Sequence, residues 1–569
     1  MVFNLPTAQL LAMIANHHSP HFLFFSNIMK RHLARKHLAI TAVACLLIGG
    51  LCGFLTNLAQ SDEDLNLQWQ KLGIALQYVV QQHVDTIKTS KLVENTIRGM
   101  LESLNDPYSE YLPPRERNNF EENFRGNFQG IGIRFGIRDS MITVLTPILD
   151  GPSDKVGLKF GDRIIKINGI NAIGMPQDSV PLKLKGPAGT QVTVTVKREG
   201  WTEPRDFTIT REVVPTTSVE AQYMLDSETG YIFVNRFAAT TTEDVVKAAQ
   251  NLKKQGMKKL LLDLRNNPGG YLDQAWRLAD EFIKQGQRLV YTKDRYGNIR
   301  EQFVANPGGV LEDLPVIVLI NGGSASASEI ISGAIQDLDR GLVVGETSFG
   351  KGLVQQVFGL NDGSAIKFTT AKYFTPSGRS IQRPFADKKK YLAMEGRNNQ
   401  LAEGANFDHQ GEADSTRPVF KTISGRKVLG GGGIVPDYII KSDTVGRFYD
   451  SLARKYVFFE ANEKFIMRYG NDIRAKYGRD FRSYWLNYSI TDEHLQLYKD
   501  VAKEKGLEWR EADFQKEKVM ITNAMKALAA SYIWNWDGAN AFLYALLQPK
   551  QLEKALKLFP ESIKIAKAK

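Results

Sequence analysis

Residues 315–355 read PVIVLINGGSASASEIISGAIQDLDRGLVVGETSFGKGLVQ, and this stretch constrains the fold more than any other. Val316 to Ile320 is an uncharged, β-branched run that stops at Asn321-Gly322-Gly323, the pattern of a buried strand ending in a tight turn. Ser324, Ser326 and Ser328 then stand where a helix would begin. Glu329 suits the first turn, and Ile330, Ile331, Ala334, Ile335 and Leu338 carry helical spacing. A strand, turn and helix in this order place serine hydroxyls beside backbone N–H groups that have no intrahelical partner. Such groups can stabilise the oxyanion of a tetrahedral intermediate formed at a serine.

A serine nucleophile needs a base, and the eight histidines offer none in a suitable context. His17, His18, His21, His32 and His37 crowd the N-terminus, while His83, His409 and His494 stand beside no Gly/Ser/Asp turn. Lys351, in Phe349-Gly350-Lys351-Gly352, is the better candidate. Burial can hold an amine neutral, and flanking glycines let the backbone close over it.

The succession Gly-Ser-Ala-Ser-Ala-Ser-Glu, Gln336-Asp337 and Thr347-Ser348-Phe349-Gly350-Lys351-Gly352-Leu353-Val354-Gln355 resembles the signature of the carboxyl-terminal processing, or tail-specific, serine proteases. The resemblance covers roughly residues 75–440. It implies a multidomain α+β protein: a PDZ β-sandwich-like module before an α/β core like those of crotonases and Clp proteases, with helical regions at both ends. Carried over by position, it makes Ser326 the nucleophile, Lys351 the general base and Gln355 the residue that orients the lysine. Ala327 and either Gly269 or Gly270 become oxyanion-hole donors. Asp337 matches a position grouped with the catalytic residues, but eleven residues of helix rise about 16 Å, so it is expected at the far end of the helix as a structural group. Gln355, four residues after Lys351 in the alternating LVQQVF run, is expected to share the lysine's face. No metal, nucleotide or organic cofactor is implied.

Residues 126–212 contain GNFQGIGIRFGIRDSMITVL, KFGDRIIKING and GPAGTQVTVTVKREG, short alternating strands parted by Gly, Asp and Asn turns. Together these resemble a PDZ domain. Gly130, Ile131, Gly132 and Ile133 match the loop that holds a peptide's terminal carboxylate while the peptide adds as a strand. Upstream, 61–125 shows helical spacing broken at Asn105-Asp106-Pro107, and Tyr108 to Leu112 resembles the family's entry to the PDZ domain. The core spans 213–442, with a helix near 241–255, the apolar strand KKLLLDLR, the turn Asn266-Asn267-Pro268-Gly269-Gly270 and a polar insertion at 383–417. Gly430 to Asp437 is expected to return to the core. Residues 443–569 are helical and aromatic-rich, expected to pack on the protease or on a partner subunit.

Both cysteines, Cys45 and Cys52, fall in the uncharged segment 38–55, which a basic stretch precedes. This reads as a signal peptide or membrane anchor within an N-terminal region 1–60, placing the rest on the periplasmic side of a bacterial inner membrane, anchored or exported. The expected partners are protein substrates with free, apolar C-termini, with a homo-oligomer or adaptor left open. The net charge of +11 invites nucleic acid, but no zinc-finger or RNP-like motif accompanies it, and nucleic-acid binding is set aside. Gly345 to Lys351 also fits a phosphate-binding G-x-x-x-x-G-K, yet Gly352 follows where Ser or Thr is required, and a strand-like run follows where a helix is. The remaining alternative is an inactive PDZ-containing envelope scaffold in which the serines only cap a helix. Nothing in a cap requires a glycine-flanked lysine.

Overall fold

The computed structural model describes residues 64–148, 150–385, 391, 403–407, 417–443, 445–478, 480–534 and 549–567. The segment 38–55 and most of the insertion at 383–417 lie outside them. Among the described residues no helix is long and apolar enough to cross a membrane. The chain divides after Asn95 into two units. The described part of the first begins with the helix Leu65–Gln82, which Asp64 caps by accepting from Asn66 N at 2.9 Å.

The second unit is built on a seven-stranded sheet in the order Val219–Met224, Thr229–Val234, Lys259–Asp263, Val316–Ile320, Leu342–Gly345, Tyr438–Ile439, Gly404–Ala405. From Thr229–Val234 to Tyr438–Ile439 the neighbours are parallel. A parallel sheet is covered on both faces, which is why Leu260 to Leu262 and Val316 to Ile320 are apolar without alternation and fully buried. The helices Thr241–Lys254, Leu272–Asp280 and Ala327–Asp337 cover one face, with Val245, Leu278 and Ile331 joining Leu260, Leu262 and Val318 in one core. The other face is closed by the last helices of the chain, Pro549–Leu556 and Phe559–Lys567, whose Ala555, Phe559 and Ile565 meet Leu261, Ile317 and Leu319. The expected C-terminal domain therefore resolves into two parts. Residues 447–534 form a helical module around Phe448, Phe514, Phe465 and Tyr484, while 549–567 complete the core.

A second sheet pairs Ala365–Phe374 with Leu353–Gly359, Arg288–Lys293 and Glu110–Leu112, all antiparallel. Glu110–Leu112 is thus a strand of the core, with Glu110 opposite Lys367, and not the entry to the β-rich module. The helix Pro114–Arg125 makes that entry.

The module itself runs Ile133–Arg138, Met141–Pro147, Arg163–Ile167, Gln191–Lys197, Arg205–Thr210, with Ile170–Asn171 beside the third strand. Its entering and leaving strands, Asn127–Gly130 and Glu212–Pro215, pair with each other and tie its base. Ile133–Arg138 is an edge strand of this sheet. The helical module 447–534 grips the far end of that strand. Arg138 lies 3.9 Å from the Tyr456 ring centre, and Phe160 stacks on Tyr532 at 3.5 Å between centroids.

Candidate active site

The three serines of the strand-to-helix turn have different fates. Ser324 donates its hydroxyl to Leu264 O at 2.8 Å and Ser328 donates to Asn267 O at 3.0 Å; both are fully buried, pinning the turn to the neighbouring loop. Ser326 is only half-buried and stands at the helix entrance with φ 53° and ψ −111°. Such a backbone costs a β-carbon residue of the order of 1–3 kcal/mol and persists only where its surroundings impose it. Here the imposing element is the turn at Asn266 to Gly270. A Cβ on Gly269, whose φ is 94°, would sit 2.7 Å from Ser326 Cβ and 2.9 Å from Ala327 N. Only glycine allows the two turns to touch at the serine.

The choice between Gly269 and Gly270 becomes a question of where each N–H points. Gly269 N already donates to Asn267 Oδ1 at 2.9 Å. Phe237 N donates to Gly269 O and Tyr271 N donates to Phe237 O, each at 2.9 Å, so Gly270 is the middle residue of a parallel bridge. Alternation then aims the N–H of Gly270 away from Phe237. Ala327 is the first residue of its helix, so its N–H has no intrahelical acceptor.

Lys351 is joined to Ser326 through two residues that the sequence did not single out for this role. Glu329 is fully buried, and its Oε2 accepts from Ser326 N at 2.8 Å and from Lys351 N at 2.9 Å. Its Oε1 accepts from Gly350 N at 2.7 Å and from the Ser348 hydroxyl. The Tyr373 hydroxyl lies 2.6 Å from Lys351 O and 3.1 Å from Ser326 O. Burial holds the Glu329 carboxyl above the usual carboxylate range, an effect these donors offset only in part. Burial also pulls the Lys351 amine down to about 8, helped by Lys367 and opposed by Glu329, Asp106 and Glu110. A group of this kind is a lysine that can be neutral near physiological pH.

Residues 228–387 match the model of peptidase family S41, residues 129–209 a PDZ domain, and residues 55–115 the N-terminal domain of the activating protease CtpB. A carboxy-terminal-processing protease of Bartonella bacilliformis is 38% identical over 326 residues, 57% of this chain and 74% of that protein. The chain belongs to the carboxy-terminal processing proteases of family S41. The carboxy-terminal processing protease CtpB of Bacillus subtilis is 35% identical over 57% of this chain and 68% of its own length. Among solved structures, the photosystem II D1 C-terminal processing protease matches at 31% identity with a TM-score of 0.33, covering 54% of this chain and 83% of that one. Residues 448–535 of the protease match a family of unknown function.

The remaining predicted residues of the protease divide. Asp337 ends the helix that Ser326 begins, and its carboxylate is bound to the fully buried Arg379 at 2.6 Å, to Ser377 N at 3.0 Å and to the Thr375 hydroxyl. It organises the far end of the helix, as its spacing required. Gln355 donates to Thr369 Oγ1 at 3.3 Å, and the register shifts beside it, Val354 facing Ala371 and Gln355 facing Thr369, with Thr370 the extra residue of the partner strand. In the PDZ domain, Gly130 is paired with Glu212, and ladder alternation makes this a hydrogen-bonded pair that consumes its N–H. Ile131, Gly132 and Ile133 remain. Ile148 N donates to Gly132 O at 2.9 Å, so the next residue, Ile133, turns its N–H and C=O to the open edge. Glu329 and Tyr373 were missed for different reasons. The glutamate looked like an ordinary first-turn residue, and nothing near Tyr373 in sequence points to a serine 47 positions away.

Proposed function

We propose that this protease is a Ser–Lys endopeptidase that takes protein substrates by their C-terminal tails. The observation that carries the reading is the strained Ser326 bound through the shared carboxylate of Glu329 to a lysine whose amine is held at about 8. Neutral Lys351 takes the Ser326 proton as Oγ bonds to the scissile carbonyl carbon, with Gln355 as the residue that orients the amine. The N–H groups of Ala327 and Gly270 receive the oxyanion, the lysinium returns the proton to the leaving amine, and water then hydrolyses the acyl-enzyme. A free C-terminus adds as a strand along Ile133–Arg138, its carboxylate at the N–H groups of Ile131 to Ile133. Apolar tails fit best, since the edge strand presents Ile133, Phe135 and Ile137 to the domain's core.

The basic stretch and the uncharged run 38–55 support a place for the protease at the inner membrane, on the periplasmic side of the cell envelope. Self-association fits the helix Leu65–Gln82, which buries none of its residues and exposes Leu65, Trp69 and Tyr78.

Peptide hydrolysis by Ser326→Ala and Lys351→Ala tests the centre. Each is expected to lose about 10³-fold or more in kcat, because nucleophile and base act as a unit. Wild-type-like turnover in either folded variant removes the assignment, and an inactive wild type returns the scaffold reading. Amidating the C-terminus of a protein substrate tests the tail: equal cleavage of the amide and the acid rules out carboxylate recognition.

A further inference from the structure

We propose that Tyr108 is a further functional residue of this reaction, a lid whose ring face covers the Lys351 amine and keeps water from it. The proposal rests on the Ser326–Lys351 reading and extends it to a residue in neither segment. Lys351 Nζ lies 4.4 Å from the centre of the Tyr108 ring, which is direct contact between amine and ring face with no space for water between them.

The ring is locked in place from three directions. Tyr108 N donates to Asp106 Oδ1 at 3.0 Å, fixing the turn. Its hydroxyl is bonded to that of Tyr391, which in turn lies 3.4 Å from Gly350 O, one residue before the lysine. The two rings meet edge to face at 6.0 Å. The strand Glu110–Leu112, two residues on, is paired with Ala365–Phe374, the strand that also pairs with the one following Lys351. Because the Tyr108 hydroxyl is spent on Tyr391, it is the ring and not the hydroxyl that acts on the amine.

A ring so placed has two opposed effects: excluding water disfavours the ammonium, and the ring's negative face favours it. The charged groups around the amine are Lys367 from Ala365–Phe374, Glu329 from the Ser326 helix, and Asp106 and Glu110 on either side of Tyr108. Arg383 lies against Tyr391 from the far side, 4.5 Å from its ring centre. Three of the groups around the amine are acidic, yet its titration lies below the ordinary lysine value, with burial as the largest cause. Burial is the largest cause of that lowering and the Tyr108 ring is in direct contact with the amine, so removing the ring, which admits water, should return the amine toward its value in water.

The test is the acid limb of kcat/KM for a short peptide, measured on the full chain with wild type, Tyr108→Phe, Tyr108→Ala, Tyr108→Leu and Lys351→Ala, with a thermal melt for each. Tyr108→Phe keeps the ring and should keep the wild-type midpoint, with turnover within about threefold. Tyr108→Ala should move the midpoint upward by about one pH unit or more, losing about tenfold at pH 7 and recovering as the pH is raised toward the new midpoint. Tyr108→Leu, which refills part of the space, should fall between them and replaces the alanine variant if that does not fold. A loss of activity at every pH with an unmoved midpoint would be a purely structural role and overturns the proposal, as does a midpoint that moves downward. Lys351→Ala separates the two readings: if it is active, the Ser–Lys centre fails; if it is inactive while Tyr108→Ala titrates like wild type, only the lid fails.

Discussion

Glu329→Gln is the sharpest test of how the centre is held together. Each carboxylate oxygen of Glu329 faces two donors: Ser326 N and Lys351 N on one, Gly350 N and Ser348 Oγ on the other. An amide turns one acceptor into a donor: facing Ser326 N and Lys351 N it strands both, and facing Gly350 N and Ser348 Oγ it strands Gly350 N while the hydroxyl turns to accept, so one or two hydrogen bonds are lost at about 1.5–3 kcal/mol each. Relief of a buried charge returns part of this, because burial already disfavours the ionised carboxylate. The expected net loss of stability is about 2–4 kcal/mol. The rate should fall more sharply, by about 10² in kcat with KM little changed, since main-chain shifts at Ser326 and Lys351 displace the proposed nucleophile and base together. Peptide hydrolysis, active-serine titration with a fluorophosphonate and thermal unfolding read the three quantities. Ser348→Ala is the control: it spares the bonds to Ser326 and Lys351 and should cost about 1–3 kcal/mol with kcat nearly intact. A Glu329→Gln enzyme with wild-type kcat and melting temperature would refute the claim that this carboxylate builds the centre.

Four further outcomes are expected. Asp337→Asn leaves the guanidinium of Arg379 buried beside a neutral partner, so it should cost about 3–5 kcal/mol of stability; if its folded fraction is also inactive, the separation of the helix ends is wrong. Peptide hydrolysis should rise with pH through about 8, as the Lys351 amine becomes neutral. The same amine binds a proton more weakly folded than unfolded, so stability should rise between about pH 8 and 10.5, by about 3 kcal/mol in all, and Lys351→Met should abolish that rise in pH-dependent denaturant melts. In the PDZ domain, Gly132→Ala should impair tail-dependent cleavage, because its φ is 69° and a Cβ would lie 3.2 Å from Pro152. Gly130→Ala meets nothing closer than 3.4 Å and should be mild; equal damage from both, scored on a tailed protein against a short peptide, would return Gly130 to the carboxylate loop.

Much of this protein was decided by local chemistry and was legible in the chain. The apolar Val316 to Ile320 run could only be an inner strand of a sheet covered on both faces, the turn after it had to start a helix, and eleven residues of that helix had to part Asp337 from Ser326. Glycine-flanked Lys351 stood out as the candidate base because no histidine stood in a comparable setting. What the chain could not show depended on surfaces meeting across long separations. Periodicity marks a helix's apolar face but not the sheet it will cover, so the return of residues 549–567 to the core was invisible. A first-turn glutamate looks the same whether it faces water or is wrapped by four donors, and the extra residue Thr370 in the strand opposite Gln355 cannot be read from the alternating run that holds Gln355. The contact of Tyr108 with Lys351, 243 positions apart, follows from two strands sharing one neighbour, a pairing that exists only once the sheet is assembled.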